Sequence, residues 1–454
     1  MSMLNIIYDN SPVVMQNLFC SIKGYLIYKK RYNNNFHRYL EKFERRKYDP
    51  ISSLKIFLQN ISTTPFYKQT FRECDFNVNA QDIYVELKKL PIITKDIVKE
   101  DVRRFINSDY KGKSYESKTS GTTGGGLIFP CSLELENKQW AVWWRYRRWY
   151  GMDLNMWQGW FGGRSIISIK NQSAPYWRIN IPGKQVMFSA YHLNNNTIKD
   201  YYNEIVKRQL KWLHGYPSQI SLLSSIIFEH NLEPLFFVTY ITFGAENLFD
   251  YQKEIIQTVF PRAKLCQHYG LSEGVANISE DINGNFVIDD DFCYIEFIPF
   301  STENKNICKI IGTGFCNEAF PLIRYDTGDI AEIDYLPNGG IKILSIDGRK
   351  EDFIFLPNGV KLGRLDHIFK GSTAVKEAQI HQKDLYHIDF NIVKGIAYTT
   401  NDENELMKEI RMRIDDSVYI SINYVDKIER TKSGKLRFVI SDIKVNHAPN
   451  NPRP

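Results

Sequence analysis

The spacing of apolar positions changes several times along the chain, and each change marks a different kind of structure. From about Val13 to Asp101 apolar residues recur at helical intervals between charged faces, with a proline break at Lys89-Leu90-Pro91. Leu133 to Tyr150 keeps the helical period, with Trp140 and Trp144 on one face and Trp143, Arg147 and Tyr150 on another. Leu235 to Phe243 is instead a nearly continuous apolar run that stops at Gly244-Ala245-Glu246. Helical spacing returns over Leu248 to Phe260, and Ala263 to His268 reads as a second short strand. Strand, helix, strand in that order predicts a βαβ unit and a parallel sheet, with ligands beyond the carboxyl ends of its strands. Gly244-Ala245-Glu246 and Tyr269-Gly270-Leu271-Ser272-Glu273 both fall there.

Beyond Asn283-Gly284 the pattern shortens. Cys293–Phe300, Cys308–Gly312, Asp329–Ile333 and Ile341–Ser345 alternate with turn signals such as Pro337-Asn338-Gly339, which predicts an antiparallel subdomain. A charged connection, Gly348-Arg349-Lys350-Glu351-Asp352, then leads to a hairpin signal at Pro357-Asn358-Gly359 and a small α+β region ending near Ile443. The expected class is α/β. Residues 1–348 form a large N-terminal domain, helical to about residue 110, and residues 349–445 a small C-terminal one. The asparagine- and proline-rich tail 446–454 is expected to be disordered.

Composition narrows the function. With 43% hydrophobic and 24% charged residues the chain reads as a soluble globular protein, and 454 residues allow two or three folding units. The charge of +6 is carried without a dense Lys/Arg block, so a site for phosphates and carboxylates is expected in preference to nucleic acid. Seven scattered cysteines, odd in number and never in CxxC spacing, point to a reducing compartment, the cytoplasm, and away from structural zinc. No leader pattern opens the chain. Val13 to Tyr28, interrupted by Gln16, Asn17 and Lys23 and followed by Lys29-Lys30-Arg31, is too short and polar to span a bilayer. An amphipathic helix packed on the body is expected there, with peripheral membrane contact as the alternative.

Candidate chemistry centres on Ser117-Lys118-Thr119-Ser120-Gly121-Thr122-Thr123-Gly124-Gly125-Gly126. Glycines can turn successive N–H groups inward and short hydroxyls add donors, which suits polyphosphate oxygens; a flexible linker has the same composition. It lacks the lysine of a Walker loop.

Four further stretches accompany it: Gln267 to Glu273, Arg324-Tyr325-Asp326-Thr327-Gly328-Asp329, Gly348 to Asp352, and Glu429-Arg430-Thr431-Lys432-Ser433-Gly434-Lys435. In order and spacing these resemble the ATP-dependent adenylate-forming superfamily, and within it the phenylacetate–CoA ligase family. Trp143-Trp144-Arg145-Tyr146-Arg147-Arg148-Trp149, Gly162-Gly163-Arg164 and His214-Gly215-Tyr216-Pro217-Ser218 are similar to its branch found in bacterial capsular-polysaccharide clusters.

The resemblance implies a set of roles. Ser120, Gly121, Thr122, Thr123 and Gly124 would grip the phosphates of ATP, Glu273 would hold Mg²⁺, and Ser272 would bond the α-phosphate. Tyr269, with His268 and Gly270, would lie against adenine beside Gly244, Ala245 and Glu246. Asp329 would take the ribose hydroxyls, Arg349 ribose or phosphate oxygens, and Lys435 would bridge the acid and the α-phosphate. Trp140, Trp144, Tyr216 and Gly244 are candidates for the acid pocket, and neither His214 nor His268 is given a proton-transfer role. Two departures stand out: relatives carry a lysine after Gly124, and an aspartate where Glu351 stands here.

Two half-reactions are implied. A carboxylic acid and ATP give an acyl-adenylate. The small domain then swings about Arg349–Asp352 to admit an acceptor, the CoA thiol by family precedent or an amine. A non-catalytic nucleotide- or nucleic-acid-binding relative is the reading from another class. A homodimer would be common for such enzymes.

Overall fold

The computed structural model describes residues 3–45, 48–119, 127–162, 166–168, 170–171, 173–300, 305–337, 339–349, 354–357, 361–362, 365–369, 374–414, 416–431 and 436–443. Seven helices open the chain: α1 (Met3–Asp9), α2 (Val13–Arg31), α3 (Asn34–Glu44), α4 (Pro50–Asn60), α5 (Pro65–Glu73), α6 (Ile83–Leu87) and α7 (Lys95–Glu100). Their starts are written in capping residues. The Asn33 side chain accepts from the Asn35 and Phe36 amides ahead of α3, and Asp49 does the same for Ile51 and Ser52 ahead of α4. The break at Pro91 falls where expected, since α6 stops at Leu87.

A two-stranded ribbon follows, β1 (Ser114–Lys118) antiparallel to β2 (Ile128–Ser132), and leads into α8 (Leu133–Trp149). Two sheets then share the body. The first has six strands, β3 (Gln158–Phe161), β4 (Trp177–Asn180), β5 (Gln185–Phe188), β6 (Trp212–Gly215), β7 (Tyr240–Phe243) and β8 (Lys264–Cys266), in the order β4-β5-β3-β6-β7-β8. All its pairings are parallel except that of the edge strand β4. Helices α9 (Ile198–Lys207), α10 (Pro217–Glu229) and α11 (Asp250–Val259) make the crossovers, as parallel pairing requires.

The second sheet is antiparallel and has seven strands: β9 (His268–Gly270), β10 (Asn277–Glu280), β11 (Phe286–Ile288), β12 (Cys293–Pro299), β13 (Ile307–Gly314), β14 (Tyr325–Tyr335) and β15 (Ile341–Arg349). It begins earlier than the turn signals indicate, because the chain passes from β8 into β9 at Gln267. Its core is continuous with that of the N-terminal helices and α8, through residues such as Phe129, Tyr146, Ile278 and Phe320.

The C-terminal part holds the ribbon β16 (Ile354–Phe355) and β17 (Lys361–Leu362) on either side of the expected turn. A four-stranded sheet completes it: β18 (Val375–Gln382), β19 (His387–Lys394), β20 (Tyr419–Tyr424) and β21 (Val439–Ser441), ordered β20-β19-β18-β21 and covered by α12 (Thr400–Arg411). Its core includes one residue from the body, Tyr251 of α11. The tail 446–454 lies outside the described residues.

Candidate active site

The carboxyl end of the parallel sheet and the start of the antiparallel one meet around Gly244 and His268. Gly244 follows β7 directly, and a Cβ there would sit 3.5 Å from His268 Cε1. The next strand residue, Tyr269, donates its hydroxyl to Asp329 Oδ2 at 2.7 Å. Burial, and then the Asp329 charge, hold that phenol proton well above its ordinary range. The negative charge of Glu273, 8% exposed, acts in the same direction. Asp329 is fixed from its own side, its amide donating to Thr327 Oγ1 at 3.1 Å, and it stands opposite Arg349 in the β14–β15 register. Glycine is needed just after Glu273: Gly274 has φ +70°, and a Cβ would come 2.4 Å from Leu135 Cδ1 of α8. Ser272 is exposed beside it.

Glu246 makes a contact that no motif signals. Its Oε2 accepts from the Ser218 amide at the start of α10 at 3.2 Å, and its Oε1 accepts from the Leu436 amide at 2.7 Å. Leu436 in turn bridges to Arg430 in antiparallel fashion. Arg430 donates to Ser218 Oγ at 3.1 Å and pairs with Glu377 of β18. The carboxylate after β7 is thereby joined to the segment that follows Lys435. Burial pushes the Glu246 carboxyl up, against the pull of Ser218, Arg430 and the two amides.

Lys435 itself lies outside the described residues, as do Ser120, Gly121, Thr122, Thr123 and Gly124, Gly163-Arg164, and Lys350 to Asp352; the Arg349 side chain does too. The base of the glycine loop is described. The Thr119 amide donates to the Leu127 carbonyl and the Leu127 amide to Thr119 Oγ1, both at 2.9 Å, so the loop springs from a closed ribbon end.

The aromatic helix α8 divides its rings between the core and the surroundings of His268. Trp144 is buried, with its indole nitrogen on the Tyr32 hydroxyl at 3.1 Å and its ring against Trp212. It packs there as a core residue. Trp140 is half-buried against Tyr32, Trp143 and Arg31. Trp143, which had no assigned role, reaches the site: its ring lies 5.1 Å from His268 and its nitrogen donates to Asn277 Oδ1 at 2.9 Å. Tyr216 stands at the N-cap position of α10 without a side-chain capping bond.

Beneath these rings Arg147 is 4% exposed and ringed by Trp140, Trp144, Tyr146 and Trp212 at 5.2–5.7 Å, while its Nε meets no acceptor among the described residues. His214 is held by Thr242 Oγ1 at 2.8 Å, and His268 Nδ1 lies 3.3 Å from the Tyr146 hydroxyl. Burial and the Arg147 charge push both histidines down to about 3, so both are neutral at neutral pH. Among the described residues no group of three or more His, Cys, Asp or Glu is placed to hold a metal ion.

Sequence comparison agrees with this architecture. A family model for the CapK C-terminal domain matches residues 357–442. Protein CapK of Staphylococcus aureus is 30% identical over 467 residues, spanning 97% of this chain and 100% of that protein. The chain belongs to the CapK family. Among solved structures, 2-hydroxyisobutyryl-CoA ligase in the postadenylation state with R3-HIB-AMP aligns at TM-score 0.65 and 16% identity, covering 87% of this chain and 89% of that one. The same ligase with 2-HIB-AMP and CoA in the thioesterification state aligns at 0.51 over the same shares, also at 16% identity. This CapK-family chain therefore has the mixed α/β fold of adenylate-forming CoA ligases, with a small C-terminal domain.

Proposed function

We propose that the chain activates a carboxylic acid with ATP as an acyl-adenylate, releases pyrophosphate, and passes the acyl group to an acceptor thiol, that of CoA. The observation that carries this reading is the link from Glu246 to the Leu436 amide, which ties the segment after Lys435 to the loop after β7, where Gly244 approaches His268 beside Tyr269. An acid and a triphosphate repel each other, so their joining needs a positive charge that arrives with them. Lys435, on a long stem in a loop whose base is held by Glu246, suits that task. Asp329, braced by Tyr269, would accept from the ribose hydroxyls, and the Ser120–Gly124 amides and hydroxyls would bind the phosphates. Magnesium would supply neutralising charge on the phosphate oxygens. One carboxylate plus those oxygens is enough to hold it, and Glu273 is buried at the right strand end for this.

Residues 1–348 and 349–445 would act as two domains hinged at Arg349–Asp352. The higher TM-score against the postadenylation state than against the thioesterification state supports reading the present arrangement as one that precedes acyl transfer. Surface-polysaccharide assembly is the process the capsule-linked resemblance suggests.

Pyrophosphate release, screened against aryl acids, amino acids and sugar acids, tests the reading. Lys435→Ala should lower adenylate formation at least a hundredfold while sparing consumption of a preformed acyl-adenylate. Equal loss in both assays would remove Lys435 from its role. Mass spectrometry of the product formed with CoA or with amines identifies the acceptor.

A further inference from the structure

Helix α2 packs on the body as expected, but with its faces reversed. Gln16, Asn17 and Ser21 point inward, whereas Val14, Leu18, Ile22 and Leu26 point outward. The inward face covers β4, the edge strand of the parallel sheet, whose outer backbone groups have no strand to pair with. Asn17 Oδ1 accepts from the Ile179 amide at 2.9 Å, and Ser21 Oγ donates to the Ile179 carbonyl and accepts from the Ile181 amide, both at 3.2 Å. Gln16 is buried against Arg178 and the α1–α2 turn. Gly24 permits the approach, since a Cβ there would lie 1.9 Å from Asn180 Oδ1. Asn17 and Ser21 are thus consumed in satisfying a sheet edge, and Gln16 in holding Arg178 and the turn before the helix.

What remains outside is apolar. Val14 (77% exposed), Met15 (40%), Leu18 (49%), Ile22 (51%), Tyr25 (51%) and Leu26 (63%) share one arc of about 120° at 3.6 residues per turn. Ile6 and Ile7 of α1, each about half exposed, continue it at one end, and Ile181, 60% exposed, lies beside it. A contiguous apolar face of this kind, unlike scattered exposed leucines, marks a contact surface. Its charges select the contact. None of the 19 residues of α2 is acidic, while Lys23 and Lys29 are exposed along the apolar arc and Lys30 and Arg31 close the helix. A second copy of the same face would set lysine against lysine with no acid to answer. No helix among the described residues is long and apolar enough to cross a membrane. Apolar side chains flanked by lysines, on a helix clamped flat against the body, are what the headgroup region of an anionic bilayer accepts.

We propose that the outer face of α2 seats the protein on an anionic membrane surface, with Leu18 and Ile22 at the acyl boundary and Lys23 and Lys29 among the headgroups. The cleft is not involved, so this proposal stands apart from the reading of its chemistry. The test is co-sedimentation of the full chain with vesicles of phosphatidylglycerol and phosphatidylethanolamine, against vesicles of phosphatidylcholine alone. Binding is expected to the first set and to weaken as salt is raised. Leu18→Glu with Ile22→Glu should lower it at least tenfold with thermal unfolding unchanged, since both positions are exposed. Lys23→Gln with Lys29→Gln should weaken it and flatten its salt dependence. Failure to bind anionic vesicles, or binding untouched by the glutamate pair, overturns the proposal. So does sedimentation of a dimer that the glutamate pair dissociates while neither form binds vesicles, because the face would then belong to a second copy.

Discussion

At Arg147 the chain holds a charge that no acid in the described residues answers, and the consequences fall on its neighbours. His214 and His268 are kept near pKa 3 by burial and by that guanidinium, against about 6.5 in an unfolded chain. Their folded values are depressed, so below pH 6.5 the unfolded chain binds protons that the native one refuses. The stability they lend is full above that pH and is lost as pH falls toward 3. At pH 5 the loss is about 2 kcal/mol for each histidine taken alone. Melting temperature should therefore fall steeply between pH 6.5 and 4, and His268→Gln should shallow the slope. Arg147→Met should shallow it as well, by letting both histidines titrate nearer their ordinary range; an unchanged slope in that variant would remove Arg147 as the cause. Sequence spacing could not separate the three arginines of this helix. Arg145 pairs with buried Asp289 and Asp291, Arg148 reaches surface Glu44, and Arg147 lies among rings with no acid partner among the described residues. Each depends on partners far along the chain.

Among the elements, the βαβ unit was readable because a strand buried on both faces needs a long apolar run. Its limits were not. Leu235 to Thr239 belongs to the connection, the Leu235 amide bonding to the Val259 carbonyl, and only Tyr240–Phe243 pairs as strand. The second run divides at Gln267, because Cys266 ends one sheet and His268 begins another. Helix α2 was legible as amphipathic, but the inward face could not be chosen, since the demand for polar groups comes from the edge of β4. The loop after β7 carries a prediction of its own. Glu246→Ala leaves the Leu436 and Ser218 amides without their acceptor, at a cost of about 1–3 kcal/mol. If the link positions the Lys435 loop, pyrophosphate-forming turnover should drop tenfold to a hundredfold while transfer from a preformed acyl-adenylate is nearly kept. Glu246→Gln, which retains one carbonyl acceptor, should recover part of the loss. Parallel loss in both half-reactions would mark Glu246 as merely structural.

For the whole molecule, what matters is how the C-terminal part is held on the body. Five motifs in order declared the architecture, yet none revealed this contact, which joins residues more than a hundred positions apart. Its apolar part sets Phe249 against Phe438 at 4.6 Å between ring centres, and Tyr251 against Phe369 at 6.1 Å. Its polar part adds the Glu246–Leu436 bond and a pair, Lys376 to Glu229, 2.5 Å apart with both side chains below 10% exposure. Glu229 also accepts from the Ile396 amide at 2.8 Å. Under the proposed reading a swing of the small domain would have to break all of these, so their strength would set how long the present arrangement lasts. Reversing one charge isolates that effect, because Lys376→Glu places two carboxylates in a space that excludes water. The variant should show a larger radius of gyration in solution scattering and pyrophosphate release lowered tenfold or more. Transfer from a preformed acyl-adenylate should hold or improve, because the small domain starts already released. Adding Glu229→Lys restores the opposite pair and should return much of the first activity, which general misfolding would not allow. If scattering and both half-reactions stay at wild-type values in the single variant, the buried pair does not control the domain arrangement, and the restraint lies with the aromatic contact at Phe249 and Tyr251.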